Sequence, residues 1–266
     1  MMNKKNYILV GVSLLLQIIG LTVPFFGFGE DGLCTTELPI SILVSLILLM
    51  QASKGLFNET DKAEFFNGFK FSVIGIFLIV VCTILSPVIA GGTLLSPGKY
   101  LSLVFESQDN EYLLSVYTSQ FFKSLLALLV IVILGMIFYA IAINKFTSGV
   151  CSLNVETEHK NKLRKVTKTF SIVNVINMIL LAIVILAFIS FFEIIFKNTG
   201  SETLNDSDTT KLVVIFALLY LVLLPGVIVN SIFYYVNFVK SVIYMFKTPS
   251  KFIELEPETV ELNSEE

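Results

Sequence analysis

Two apolar stretches of this chain carry amide and hydroxyl side chains at helical spacing. Thr167, Ser171, Asn174 and Asn177 follow at intervals of four, three and three, and Asn230, Tyr234, Asn237 and Ser241 at four, three and four. Residues so spaced share one face of a helix. If the two helices run antiparallel from one membrane surface marked by Lys168 and Lys240, Asn177 lies roughly 13 Å and Asn230 roughly 15 Å inward, at 1.5 Å per residue. The two stripes are therefore expected to face each other or a shared cavity.

Such groups donate and accept hydrogen bonds without carrying charge. Ser171, Asn174, Asn177, Asn230, Tyr234 and Asn237 form the candidate seam. It fits either an interhelical clamp, each bond contributing about 0.6–2 kcal/mol in a bilayer, or a polar vestibule open to the cytosol for a solute or peptide. The clamp is the favoured arrangement. Pro225 and Gly226, one turn beyond Asn230, are the candidate hinge.

A second feature precedes the first stripe. The stretch from Glu156 to Lys168 is the only dense basic segment and runs straight into an apolar run. Thr157 suits a helix cap, Glu156 and Glu158 suit the positive end of the helix dipole, and Glu156 sits four residues before Lys160. Leu163, Val166 and Phe170 fall on one side, with Lys160, Arg164, Lys165 and Lys168 on another. That is an amphipathic cytosolic extension of a membrane helix, suited to anionic lipid or to docking a cytosolic ATPase or another subunit.

Catalysis has little to work with. His159 is the only histidine and Arg164 the only arginine, so a multi-histidine metal site, a serine–histidine pair within the membrane and an arginine phosphate clamp are unavailable. No glycine-rich phosphate loop ending in Lys-Ser or Lys-Thr occurs. No catalytic, cofactor or metal residues are assigned, and the chain is not expected to be an enzyme.

The elements that must position these residues follow from composition. Of 266 residues 55% are hydrophobic and only 15% charged, and the mean hydropathy is +0.83. Soluble domains carry about 25% charged residues, so the excess apolar surface must face lipid. The net charge of −3 argues against a nucleic-acid partner. The charge-free windows predict six transmembrane helices at about 7–28, 38–57, 70–90, 121–143, 169–192 and 211–239, each near the ~20 residues needed to cross ~30 Å of hydrocarbon. Pro39 suits the first turn of the second. The first reads as a retained anchor, because it ends in Pro24-Phe25-Phe26-Gly27-Phe28 and not in a small-residue cleavage site. The charge-free stretches behind these spans, 6–29, 38–53, 71–98, 124–144, 169–192 and 212–239, contain no Asp, Glu, Lys, Arg or His, which disfavours proton relays and voltage sensing.

The fold class expected is an all-α integral membrane protein, a six-helix bundle with short interfacial helices in its loops. Basic residues accumulate on cytoplasmic loops. Placing both termini inside leaves only Lys99, Lys123, Lys197 and Lys211 outside. Asp61 with Glu64 resembles a helix start, and Phe65, Phe66 and Phe69 suggest a segment lying on the membrane. The outer stretch 91–120 has room for one or two interfacial helices, and Leu-Ser-Pro at 85–87 and again at 95–97 is expected to end a helix twice. The outer loop 193–211 should be flexible. The domain is drawn as 1–247, followed by an acidic cytoplasmic tail, 248–266, expected to be disordered. Cys34, Cys82 and Cys151 fall outside, within and inside the membrane, so no intramolecular disulfide is expected.

The function expected from this layout is a non-catalytic multi-pass subunit of a transport or secretion system in the cell membrane, bacterial by its Lys- and Ile-rich flavour, permease-like and energised by a separate partner. The alternative is an accessory, immunity or assembly protein that binds another membrane protein and transports nothing. The partners expected are membrane lipids, other membrane subunits and a cytosolic ATPase. No cofactor is expected.

Overall fold

Long apolar runs supply the helices, and local turns and caps decide where several of them begin and end. The computed structural model describes residues 4–22, 26–27, 33–34, 37–38, 40–90, 94–95, 97–106, 110–197 and 206–252. Eight α-helices are described: α1 (Lys4–Thr22), α2 (Ile40–Thr60), α3 (Ala63–Ile89), α4 (Pro97–Glu106), α5 (Glu111–Cys151), α6 (Thr157–Lys197), α7 (Asp206–Ala217) and α8 (Leu224–Lys247). Two short antiparallel pairings accompany them, Phe26–Gly27 with Glu37–Leu38 and Leu33–Cys34 with Leu94–Leu95.

Five segments are long and apolar enough to cross a membrane: Ile40–Thr60, Ala63–Val88, Val116–Cys151, Thr157–Val184 and Thr209–Lys251. The 19-residue α1 packs beside them. The long helices close into a ring in which α1 packs on α2, α2 on α3, α3 on α5, α5 on α6, α6 on α8, and α8 back on α1. Leu14, Ile42, Leu46, Leu49, Ile79, Ile131 and Phe146 are fully buried inside it. Small residues let the backbones approach. A Cβ on Gly135 would stand 2.8 Å from Ile42 Cγ2 and 2.9 Å from Ile79 Cδ1, and one on Gly75 would stand 2.8 Å from Phe138 Cβ.

The helix ends differ in places from the expectation. The first helix is described to Thr22, and Phe26–Gly27 is already a strand, short of the expected end at 28. Asp61 does not start α3. It adopts a left-handed conformation, φ 52°, and its N–H closes α2 on Phe57 O at 2.8 Å, the usual way a helix is stopped. Lys62, extended, precedes α3 with no side-chain cap. The phenylalanines that follow belong to α3 itself and form no separate surface segment. Phe65 is buried edge-on against Phe146, 5.4 Å between ring centres, while the exposed Phe66 packs on Phe57 and Phe69 beneath the Lys70 ammonium.

Pro87 lies inside α3, two residues before its end. It cannot donate to Thr83 O, and the Ser86 hydroxyl supplies that bond at 2.7 Å. The second Leu-Ser-Pro behaves differently, since Pro97 opens α4. Of the two loop helices allowed between 91 and 120, α4 is one. The rest, from Glu111, is the start of a 41-residue α5 whose cap is the Asn110 side chain, accepting from Leu113 N at 3.1 Å. Tyr100 stacks on Phe121 at 4.4 Å and shares a 3.1 Å bond with Thr118, tying α4 to α5. Residues 198–205 of the expected flexible loop lie outside the described residues, and on either side of them α6 and α7 are helical.

The last span contains the largest irregularity. Between α7 and α8 the helix widens into a six-residue π-turn, Leu218–Leu223, and Pro225 sits in the first turn of α8. A proline ring collides with the carbonyl four residues earlier, here Leu221, and a wide turn relieves that collision. The chain stays ordered for a few residues past 247. Thr248–Lys251 form a 3₁₀ turn against the bundle, and Phe252 pairs with Val155. Residues 253–266 of the expected tail lie outside the described residues.

Candidate functional site

The seam begins where α6 and α8 pack against each other. Asn230 on α8 donates through Nδ2 to Asn177 Oδ1 and also lies 3.2 Å from Val173 O. The two amides expected at one depth do meet. One level closer to the basic end, Phe170 packs on Tyr234 and Phe238, with ring centres 5.4 and 6.0 Å apart. All three rings are buried, and they fill the interface between the polar levels.

The other candidate residues do not join a common row. Asn174 is 1% exposed and turns towards α5, its Nδ2 3.3 Å from Met136 Sδ. The Ser171 hydroxyl donates to Thr167 O of its own helix at 2.9 Å, and Asn237 Nδ2 likewise to Phe233 O at 2.8 Å. Tyr234 faces inward as expected, but its hydroxyl finds no hydrogen-bond partner, as is true of Asn174 Oδ1, Thr167 Oγ1 and Ser241 Oγ. Gly226 stands in open space and Pro225 is exposed at the end of the π-turn, placing the candidate hinge where the helix is already irregular.

Two clusters lie outside the seam. The first joins α1, α2 and α5. Ser13 Oγ donates to Ser45 O at 2.9 Å, Ser45 Oγ lies 3.1 Å from Ser13 O, and Tyr139 OH is 3.1 Å from Ser13 Oγ. Ser13 with Gln17 and Ser41 with Ser45 stand at helical spacing and mark faces where helices approach and hydrogen-bond, whereas Tyr139 is a lone polar group in its apolar run. Gln17, one turn further along α1, is fully buried with neither side-chain polar atom bonded.

The second is a clasp at the basic end. His159 Nε2 lies 3.1 Å from Thr248 Oγ1, whose own proton goes to Tyr244 O at 2.9 Å. The imidazole therefore presents Nε2–H, and its ring stands edge-on to Tyr244. Burial pushes the His159 pKa down, as do Lys251 and Lys247, against the opposing pull of Glu156 and the Tyr244 backbone. Glu156 N donates to Lys251 O at 3.0 Å, and the Glu156 carboxylate pairs with Lys251 Nζ at 3.2 Å. The ion pair expected between Glu156 and Lys160 is thus replaced by one to Lys251, while Glu158 takes the i,i+4 role with Lys162. Their contact lowers the Glu158 pKa and raises that of Lys162. Thr157 is the first helical residue and not a cap. Leu163 and Phe170 are fully buried within the bundle and Val166 is half-buried, whereas Arg164, Lys165 and Lys168 are exposed and Lys160 half-buried.

Among the described residues no group of three or more His, Cys, Asp or Glu is placed to hold a metal ion. Cys82 and Cys151 are free thiols. An apolar hollow of about 500 Å³, lined by Phe191, Leu212, Val213, Phe216, Ala217 and Tyr220, lies apart from the seam. The chain matches no known family model, no curated protein and no solved structure.

Proposed function

We propose that this chain is a six-span, non-catalytic membrane subunit that serves a transport or secretion system by holding a partner in the bilayer. The observation that supports this most directly is the build of the α6–α8 seam. Asn177 and Asn230 bond each other, and the buried Phe170, Tyr234 and Phe238 rings occupy the next level. A solute path would leave amides directed at open space, whereas a clamp spends them on each other.

The outward side of α8 supports a binding role. Ile228, Val229, Ile232, Phe233, Val236 and Val239 are each about half exposed, a broad apolar face suited to lipid or to another membrane helix. The basic side chains Lys160, Arg164, Lys165 and Lys168 favour the end of the bundle that carries them as the cytoplasmic one, with both termini inside the cell membrane. There they suit anionic lipid or a cytosolic ATPase.

The same closed seam and outward face also suit an accessory, immunity or assembly protein that binds one client and moves nothing. Purification in mild detergent with the partner retained separates the two. A nucleotide-binding subunit or translocation complex supports the first. A single client with no transport component supports the second, and a chain that recovers no partner at any detergent strength sinks both.

A further inference from the structure

Phe252, the last described residue before the acidic segment 253–266, stands at the start of α6, whose exposed Arg164, Lys165 and Lys168 lie on the side away from the clasped, buried His159. The root of that segment is fixed there by four interactions: the Val155–Phe252 pairing, the 3.0 Å Glu156 N to Lys251 O bond, the 3.2 Å Glu156–Lys251 ion pair and the 3.1 Å His159–Thr248 bond. Tyr7 of α1 closes on Phe252 with ring centres 6.0 Å apart. From the start of α6 at Thr157 the rise to Lys168 is roughly 17 Å, and a segment rooted at Phe252 must also pass around the helix to reach it.

The charges on the two sides are opposite. Segment 253–266 holds Glu254, Glu256, Glu258, Glu261, Glu265 and Glu266, with no Lys or Arg. On α6, Arg164, Lys165 and Lys168 are exposed, and no ion pair joins them or Lys160 to an acid among the described residues. Fourteen residues span up to about 45 Å when extended, which is more than enough to reach Lys168. A short tether raises the effective concentration of such a segment at its target to about the millimolar range. Intramolecular contact then outcompetes dilute partners, although each exposed ion pair is weak.

We propose that residues 253–266 fold back onto the Lys160–Lys168 face of α6 and mask it from anionic surfaces. The mask holds at low salt and releases as salt rises, because a screening length of about 3 Å at 1 M leaves little attraction between exposed charges. It is independent of what the bundle serves, since it needs only the clasp and the two charge patterns. Opening the mask is a way to make docking of an anionic lipid surface conditional.

The test uses the full chain in phosphatidylcholine nanodiscs. Carbodiimide, which joins carboxylates to amines in direct contact, should link glutamates of 253–266 to Lys160, Lys165 or Lys168 at low salt and not at about 1 M salt, with a yield independent of protein concentration. Binding to phosphatidylcholine vesicles containing phosphatidylserine is measured beside it. Replacing the six glutamates by glutamine should tighten that binding by about tenfold, as expected when several weak exposed pairs are released together. The gain should vanish when Lys160, Arg164, Lys165 and Lys168 are also made glutamine. Absence of these crosslinks, crosslinks that grow with concentration, or equal vesicle binding by the parent and the glutamine variant would each overturn the mask.

Discussion

At the scale of single residues, the amide pair Asn177–Asn230 separates a clamp from a loose polar stripe. Asn177→Leu or Asn230→Leu should each cost about 1 kcal/mol, within the ~0.6–2 kcal/mol span of interhelical bonds in bilayers. A double-mutant cycle should show coupling of at least ~0.5 kcal/mol. Asn237→Leu should be close to neutral, because its amide bonds only Phe233 O of its own helix. Denaturant-induced unfolding in mixed micelles reads all three, and zero coupling would remove the clamp. His159 gives a pH prediction whose sign follows from its lowered pKa. The released ring takes a proton near pH 6.5 and the clasped ring only at lower pH. The clasp is therefore fully stable above about 6.5 and weakens as pH falls from there to the clasped value. Exchange of the Glu156 amide, corrected for intrinsic rate, should accelerate across that window, while His159→Gln should flatten the dependence. The spacing of the asparagines made their shared depth legible. Rotation about each helix axis was not, and rotation is what sends Asn174 to Met136 and leaves Asn237 on its own turn.

At the scale of elements, the two glycines at issue behave oppositely. Gly135→Ala drives a methyl against Ile42 and Ile79 in the ring interior and should cost about 1–3 kcal/mol, as overpacking does. Gly226→Ala meets nothing within 4 Å and should stabilise α8 by about 0.4–1 kcal/mol, by restricting the unfolded chain. Thermal aggregation in detergent ranks the two variants, and equal shifts would contradict the packing described. Pro225→Ala removes the collision with Leu221 O, so the π-turn should give way to regular helix, read as slower amide exchange over 218–228. The apolar windows made the long helices legible. Their ends were not, because each is decided by a local event that composition does not carry: the left-handed turn at Asp61, the Asn110 cap, and the Ser86 hydroxyl that lets α3 run past Pro87. The π-turn lies in unbroken apolar sequence and was legible only as a proline.

For the whole molecule, the question is which end of the ring faces the cytosol. The ends of α2, α5 and α8 and the starts of α1, α3 and α6 gather at one end. Asn6–Glu59, Tyr7–Phe252 and Glu156–Lys251 tie them there. That end carries the basic face of α6, and the preference of positive charge for the cytoplasmic side is the ground on which we propose that it faces inward. Orientation can be read chemically. An impermeant maleimide applied to intact cells should modify Cys34 and spare Cys151. Cys151 alone is an ambiguous reporter. It is half-buried with its thiol 3.6 Å from Lys160 O, and burial raises its pKa, so slow labelling would follow from low thiolate content on either side. Thr157→Cys places a second thiol at the exposed start of α6. It should stay unlabelled in intact cells and label rapidly once the membrane is permeabilised. Labelling of this introduced thiol in intact cells would put the clasp, the basic face and segment 253–266 outside. It would also exclude a cytosolic ATPase as partner while leaving the packing of the ring untouched.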